Sequence, residues 1–99
     1  MDRIKLYLDD ERTAPNGWVN IKSAEMAIQL LKKGVVEELS LDHDLGRKKT
    51  GYDVLLWIEK EMLTQGFSMP NAIYIHTANP VGRMKMEQAI SSITRRMNN

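Results

Sequence analysis

Apolar residues recur along this chain with two periods, and the switching between them lays out the elements. Ile4, Leu6 and Leu8 alternate with Lys5 and Tyr7, the period of a half-buried strand over Ile4–Leu8. Asp9-Asp10-Glu11-Arg12 ends it, and Pro15 and Asn16-Gly17 mark a turn-rich loop. Trp18–Ile21 reads as a short second strand. The period then changes. Ala24, Ala27, Ile28 and Leu31 fall at i, i+3, i+4 and i+7 behind Ser23, a good N-cap. Lys32 and Lys33 close that helix, and Gly34 supplies a left-handed C-terminal turn.

Residues 38–42 form a third expected strand, with Leu39 and Leu41 on one side. Thr50 and Asp53 have capping-box spacing before Val54, Leu55, Ile58 and Met62, a helical stripe that stops near Gly66. Ala72–Ile75 is an almost continuous apolar run, the pattern of a strand covered on both faces. Asn79-Pro80 is a strong helix start, and Met86, Ala89, Ile90, Ile93 and Met97 make the last stripe. The order β-β-α-β-α-β-α predicts an α/β fold with a mainly parallel sheet.

Composition narrows the class. Ninety-nine residues hold a single domain, here 1–99, and 42% hydrophobic with 27% charged residues is a globular balance. The absence of cysteine excludes disulfide scaffolds, thiolate zinc sites and cysteine nucleophiles. Fourteen Lys and Arg against thirteen Asp and Glu leave a net charge of +1, too little for a broad DNA or membrane footprint. Apolar runs are short and charge begins at Asp2 and Arg3, so a cytoplasmic protein with no membrane partner is expected. Arg83, Lys85, Arg95 and Arg96 against Glu87 make the last segment basic, as a solvated helix face would be.

In open parallel sheets, ligands bind beyond the carboxyl ends of the strands. Three such ends carry the polar chemistry: Asp9 to Arg12, then Asp42, His43 and Asp44, then His76 and Thr77. Both histidines of the chain are among them. For Asp9 and Asp42 to share an end, the second strand must run parallel to the first. Residues 10–17 must then travel back along a strand. Fully extended, eight residues reach about 26–29 Å, against about 17 Å for a five-residue strand. The return is feasible, although shorter than the usual crossover. An antiparallel second strand would separate the two aspartates and dissolve the site.

These strand-end residues resemble those of a receiver domain: Asp9-Asp10 after the first strand, Asp42 after the third, Gly51-Tyr52-Asp53 opening the next helix and Thr77 after the fourth. The resemblance implies that Asp9 and Asp10 are the acid pair around Mg²⁺, that Asp42 stands at the phosphoacceptor position, and that Thr77 holds the hydroxyl position. It implies a three-layer, flavodoxin-like sandwich with four mainly parallel strands in the order 2-1-3-4. The first helix is reduced to residues 10–17, and no fifth strand with the family's lysine is expected. His43 after the key Asp is a further departure. The runs L-Y-L-D-D-E-R (6–12), P-N-G-W (15–18), S-L-D-H-D-L-G (40–46), T-G-Y-D (50–53) and H-T-A-N-P-V-G-R-M (76–84) are similar to a narrower group, the cyclic-phosphate processing receiver domains.

That resemblance implies a phosphoesterase or binder acting on cyclic phosphates of nucleotides or RNA ends. His43 and His76 would exchange protons, since imidazoles titrate near neutral pH, with Asp42 and Asp44 orienting them. Arg12, Thr77, Asn79 and Arg83 would hold substrate, the two guanidiniums by paired bonds to phosphate oxygens. Asp9, Asp10 and Asp42 would ligate Mg²⁺ or another divalent cation, oxygen donors suiting a hard ion. The basic loop Arg47-Lys48-Lys49 reads as solvated, and Trp18 and Trp57 as packing residues. The alternative is a non-catalytic, degenerate receiver serving as a binding or dimerisation module, with a homodimer formed through the edge of the fourth strand. A third reading is phosphoacceptor signalling through Asp42.

Overall fold

The computed structural model describes residues 2–46 and 48–98; Arg47 of the expected basic loop lies outside them. Seven elements follow in order: β1 Ile4–Leu8, β2 Trp18–Ile21, α1 Ala24–Lys32, β3 Val36–Leu41, α2 Gly51–Glu61, β4 Ala72–Ile75 and α3 Pro80–Met97. The four strands form one sheet in the order β2-β1-β3-β4, and every pairing is parallel. β2 therefore does run parallel to β1, with Leu8 level with Ile21, and residues 10–17 make the return.

The helix boundaries follow from their caps. The Ser23 side chain accepts from the Met26 N–H at 3.2 Å. The Thr50 N–H donates to Asp53 at 2.7 Å, and Asn79 Oδ1 accepts from the Val81 and Gly82 N–H groups at 3.0 Å each. Each cap satisfies donors that the first helical turn leaves unpaired. Gly34 leaves α1 with φ +71°, a conformation that costs a residue with a Cβ about 1–2 kcal/mol.

Alternation along the strands decides where the core sits. Leu6, Leu8, Leu39 and Leu41 point to one face and are fully buried beneath Ala27, Leu31, Val54, Leu55, Ile58, Met86 and Ile93 of the helices. The helices lie side by side on that face, with α2 touching both α1 and α3. The opposite face carries Lys5, Tyr7, Trp18, Ser40 and Tyr74. Among the described residues no helix covers it. Of the three layers expected, the sheet and one helical layer are thus present. The segment that would begin the other layer is the reduced connection anticipated from the sequence, and it holds no helix.

Two details differ from the pattern reading. β3 begins at Val36 and ends at Leu41, because Val36 is already buried and pairs with Ile4. β4 is not covered on both faces: Tyr74 is half exposed. Its apolar run arises because Ile73 and Ile75 face the helices while Tyr74 lies with Trp18 on the open side, their rings 6.1 Å apart. Trp57, partly buried, packs against Phe67 at the margin of the core.

Candidate functional site

Parallel pairing of all four strands delivers the ends of β1, β3 and β4 to one edge of the sheet. Asp9 and Asp42 follow β1 and β3 directly, and ladder bonds continue to them: the Asp9 N–H donates to Ile21 O and the Asp42 N–H to Leu8 O, both at 3.0 Å. Both aspartates are buried. Asp10 joins them, and one carboxylate oxygen from each of Asp9, Asp10 and Asp42 lies within 4.8 Å of the others. Beside this cluster opens a cleft of about 340 Å³ lined by Asp10, Glu11, Arg12, Asp42, Asp44, Gly46 and Ala78.

The cluster is held by close backbone approach. Gly51 opens α2 against the Asp42 carbonyl, where a Cβ would come within 2.0 Å of the oxygen. The Gly51 N–H donates to His43 O at 3.2 Å. Gly46, at φ +61°, leaves room for Asp10, whose Oδ2 would stand 2.8 Å from a Cβ. Leu45, fully buried just before Gly46, pins the end of the β3 loop to the core.

Asp9 is the best supported carboxylate. Its Oδ1 accepts from the Glu11 and Arg12 N–H groups at 2.8 Å each. Its Oδ2 meets His76 Nε2 at 3.1 Å and Arg12 Nη1 at 3.6 Å. Burial works against its charge, yet the Arg12 and Glu11 N–H groups, with His76 and Arg12 nearby, hold its carboxyl below the ordinary 3.8. Burial pushes the His76 imidazole below its ordinary 6.5, against the pull of Asp9 and Asp42. The two backbone N–H groups are the larger of these supports, with the charge of Arg12 added to them.

The two histidines take different surroundings. His76 has both ring nitrogens engaged, Nε2 with Asp9 and Nδ1 with Ser40 Oγ at 2.7 Å. His43 Nδ1 meets Asp44 Oδ1 at 2.9 Å, and its ring fills the space a Cβ on Gly82 would occupy in the first turn of α3. No hydrogen bond joins the histidines among the described residues, and neither lines the cleft. Hydrogen bonds from His43 and then Asn79 Nδ2 hold the Asp44 carboxyl below its ordinary value.

The residues expected to grip phosphate are tied down by the backbone. Arg12 Nη1 donates to His76 O at 2.6 Å, and its ion pair is with Asp9 rather than with Asp10 or Glu11. Arg83 Nη2 approaches the Ile75 and Thr77 carbonyls at 3.4 Å each. The two arginines thus clamp the end of β4 from either side, and only Arg12 also lines the cleft. Thr77 is buried, and its Oγ1 accepts from the Asn79 N–H at 3.2 Å. The Asn79 amide already caps α3.

The donor set fits a hard divalent cation. All three donors are carboxylates, two are buried, and Asp42 accepts no side-chain hydrogen bond among the described residues. Like charges this close favour a cation between them. Ser40, Tyr7, Glu11, Gly51 and Gly82 all stand within the motifs read from the sequence, but that reading gave none of them a specific role at the site. Parity could have found the first two: Tyr7 and Asp9, Ser40 and Asp42, and Tyr74 and His76 each stand two residues apart, on one side of the pleat.

Searches of curated proteins and of solved structures found no match. Among the described residues no helix is long and apolar enough to cross a membrane. A family model, the cyclic-phosphate processing receiver domain, matches residues 4–92. The match spans all four strands, both acidic strand ends and most of α3, so the chain belongs to the cyclic-phosphate processing receiver domain family.

Proposed function

We propose that this domain binds, and in its enzymatic form hydrolyses, a cyclic phosphate carried by a nucleotide or an RNA end, with a divalent cation such as Mg²⁺ at Asp9, Asp10 and Asp42. The observation that carries this reading is the convergence of those three carboxylates beside the cleft. Without a cation the cleft is lined by four acids and one arginine, and it would repel a phosphate. A bound cation would offset most of that negative charge and would supply a Lewis acid to the phosphoryl oxygen.

The chain's own residues have the remaining tasks. Arg12 faces the cleft and offers positive charge to the ester. Opening a cyclic diester needs a proton taken from water and one given to the departing alkoxide. His43, hydrogen-bonded to the cleft-lining Asp44, is the proton-exchanging group in this reading, its Nε2 uncommitted among the described residues. His76, with both nitrogens engaged, serves the carboxylates instead. Arg83, Thr77 and Asn79 shape the β4–α3 turn behind the ester.

The test is a panel of 2′,3′-cyclic nucleotides, 3′,5′-cyclic nucleotides and an RNA ending in a cyclic phosphate, offered with Mg²⁺, Mn²⁺ or chelator. Turnover and calorimetric binding are both measured, beside Asp42→Asn and His43→Ala variants. Cation-dependent binding lost in Asp42→Asn, with turnover lost in His43→Ala, supports the enzymatic form. Binding without turnover supports the binder. Folded protein that binds neither cation nor ester overturns the proposal.

A second reading has one observation in its favour. The outer edge of β4 pairs with no strand among the described residues, and Ala72–Ile75 carries no charge that would discourage pairing. Beneath it runs a groove lined by Ile73, Ile90, Ile93 and Met97. In this reading two copies join edge to edge into a homodimer. Sedimentation of wild type against Tyr74→Lys decides it: a dimer that the lysine dissociates supports the reading, and a wild-type monomer at high micromolar concentration rejects it.

A further inference from the structure

His76 stands between two groups contributed by different strands. Its Nε2 lies 3.1 Å from Asp9 Oδ2, and its Nδ1 lies 2.7 Å from Ser40 Oγ. Its ring stacks on Tyr7 with centroids 4.1 Å apart and planes within 5°. Tyr7 and Ser40 are cross-strand neighbours of β1 and β3, and Tyr74, level with Ser40 on β4, precedes His76 by two residues. Three strands therefore fix one ring through its face and both its nitrogens. Ser40 is 6% exposed, and His76 is the one side-chain partner of its hydroxyl among the described residues.

The hydrogen assignment follows from chemistry. An ionised carboxylate only accepts, so the hydrogen on the Asp9 side belongs to Nε2. In the neutral ring Nδ1 is then the acceptor, and the Ser40 hydroxyl donates to it. We propose that Ser40 and Tyr7 are positioning residues: they lock the His76 imidazole as an Nε2–H donor to Asp9 and so fix the orientation of that carboxylate toward a divalent cation. The cation itself rests on the reading above; the relay Ser40–His76–Asp9 does not. His76 gives Oδ2 its hydrogen bond, because the two backbone donors both serve Oδ1 and Arg12 Nη1 stands off at 3.6 Å. Outer partners of metal ligands act in this way, and their loss typically weakens metal affinity about 10–100-fold.

Without the serine, Nδ1 faces a buried space with no donor. The ring can then turn over or shift its hydrogen, which sets a lone pair against the Asp9 carboxylate. Two measurements on the full chain test this. Nitrogen NMR of the histidine rings, with chelator present and at alkaline pH, reads the tautomer without any cation. Calorimetric titration with Mn²⁺ reads affinity in wild type, Ser40→Ala, Ser40→Thr and Tyr7→Leu, each first checked for a cooperative urea transition.

Wild type is expected to hold His76 as the Nε2–H tautomer. Ser40→Ala is expected to mix tautomers and bind Mn²⁺ about 10-fold more weakly, with Ser40→Thr recovering both because it keeps the hydroxyl. Tyr7→Leu tests the stacking contact, and a loss of affinity smaller than that of Ser40→Ala is expected. An Nδ1–H tautomer in wild type overturns the relay. So does a Ser40→Ala protein that folds and binds Mn²⁺ as wild type does. If wild type shows the expected tautomer but binds no Mn²⁺ or Mg²⁺, the cation reading has failed and the relay stands as a structural brace alone, which overturns the role given to Ser40 and Tyr7.

Discussion

Replacing Gly51 by alanine tests how the acidic cluster is built. The added Cβ would lie 2.0 Å from the Asp42 carbonyl oxygen, 3.0 Å from its carbon and 3.1 Å from Met86 Cε. The first distance is far below any real contact, and its partner is backbone, which cannot rotate away. One of two things must give. If α2 withdraws, the Gly51 N–H bond to His43 O is lost. If the Asp42 peptide moves, its carboxylate leaves Asp9 and Asp10. Overpacking of this kind costs about 1–3 kcal/mol and sometimes more, and a backbone clash belongs at the upper end. Alanine's better helix propensity returns at most about 1 kcal/mol. The net expectation is a loss of about 2 kcal/mol or more, which for a domain of this size lowers Tm by roughly 8–16 °C. Urea unfolding gives the free energy directly, and Mn²⁺ titration of the still-folded fraction reads the cluster. Gly66→Ala is the control: nothing lies within 4 Å of its Cβ, so only the strain of φ +91° remains, and cation affinity should not change. A Gly51→Ala protein within about 0.5 kcal/mol of wild type, with unaltered cation affinity, would refute the reasoning.

Stability should fall with acid in two stages, measured as urea midpoints in chelator. His76 is held below its ordinary 6.5, so the unfolded chain binds its proton first; the stabilisation is complete above 6.5 and drains away as pH falls through the folded value. Asp9 is held below 3.8, so its contribution persists above that value and disappears as pH drops through the lower folded one. His76→Gln should abolish the first stage only, and a wild-type midpoint that is flat from pH 7 to pH 5 would contradict it. Leu45→Ala should cost about 2–5 kcal/mol, because a fully buried side chain in a loop leaves a cavity under the cluster; a loss under about 0.5 kcal/mol would show that the loop is not pinned there. Arg3→Ala should cost about 1–3 kcal/mol by leaving the Val36 and Met69 carbonyls without the guanidinium that reaches them at 2.6 and 3.0 Å, and an unchanged urea midpoint would show that water replaces it.

What the chain announces in its sequence and what it conceals divide along a physical line. Periodicity and caps act between near neighbours, so Ser23, Thr50 with Asp53, and Asn79 with Pro80 marked the starts of all three helices. Which strand ends meet depends on strand direction, and that hung on residues 10–17, whose reach permits a parallel return without requiring it. Once the return is parallel, Asp9, Asp10 and Asp42 must converge, because all three follow strands at the same edge. The fate of the histidines lay a further step away. His43 and His76 look alike as residues after strands, yet pleat parity sends His76 to the uncovered face, over Tyr7 and against Ser40. His43 instead falls outside the ladder and fills the gap left by Gly82. The serine in S-L-D-H-D gave no local sign of a role, since a polar residue between two leucines is what any half-buried strand shows. Its meaning depends on register across β1, β3 and β4. A pattern of types along the chain could gather the acids into one site, whereas the different surroundings of two identical side chains required knowing which way each one faces.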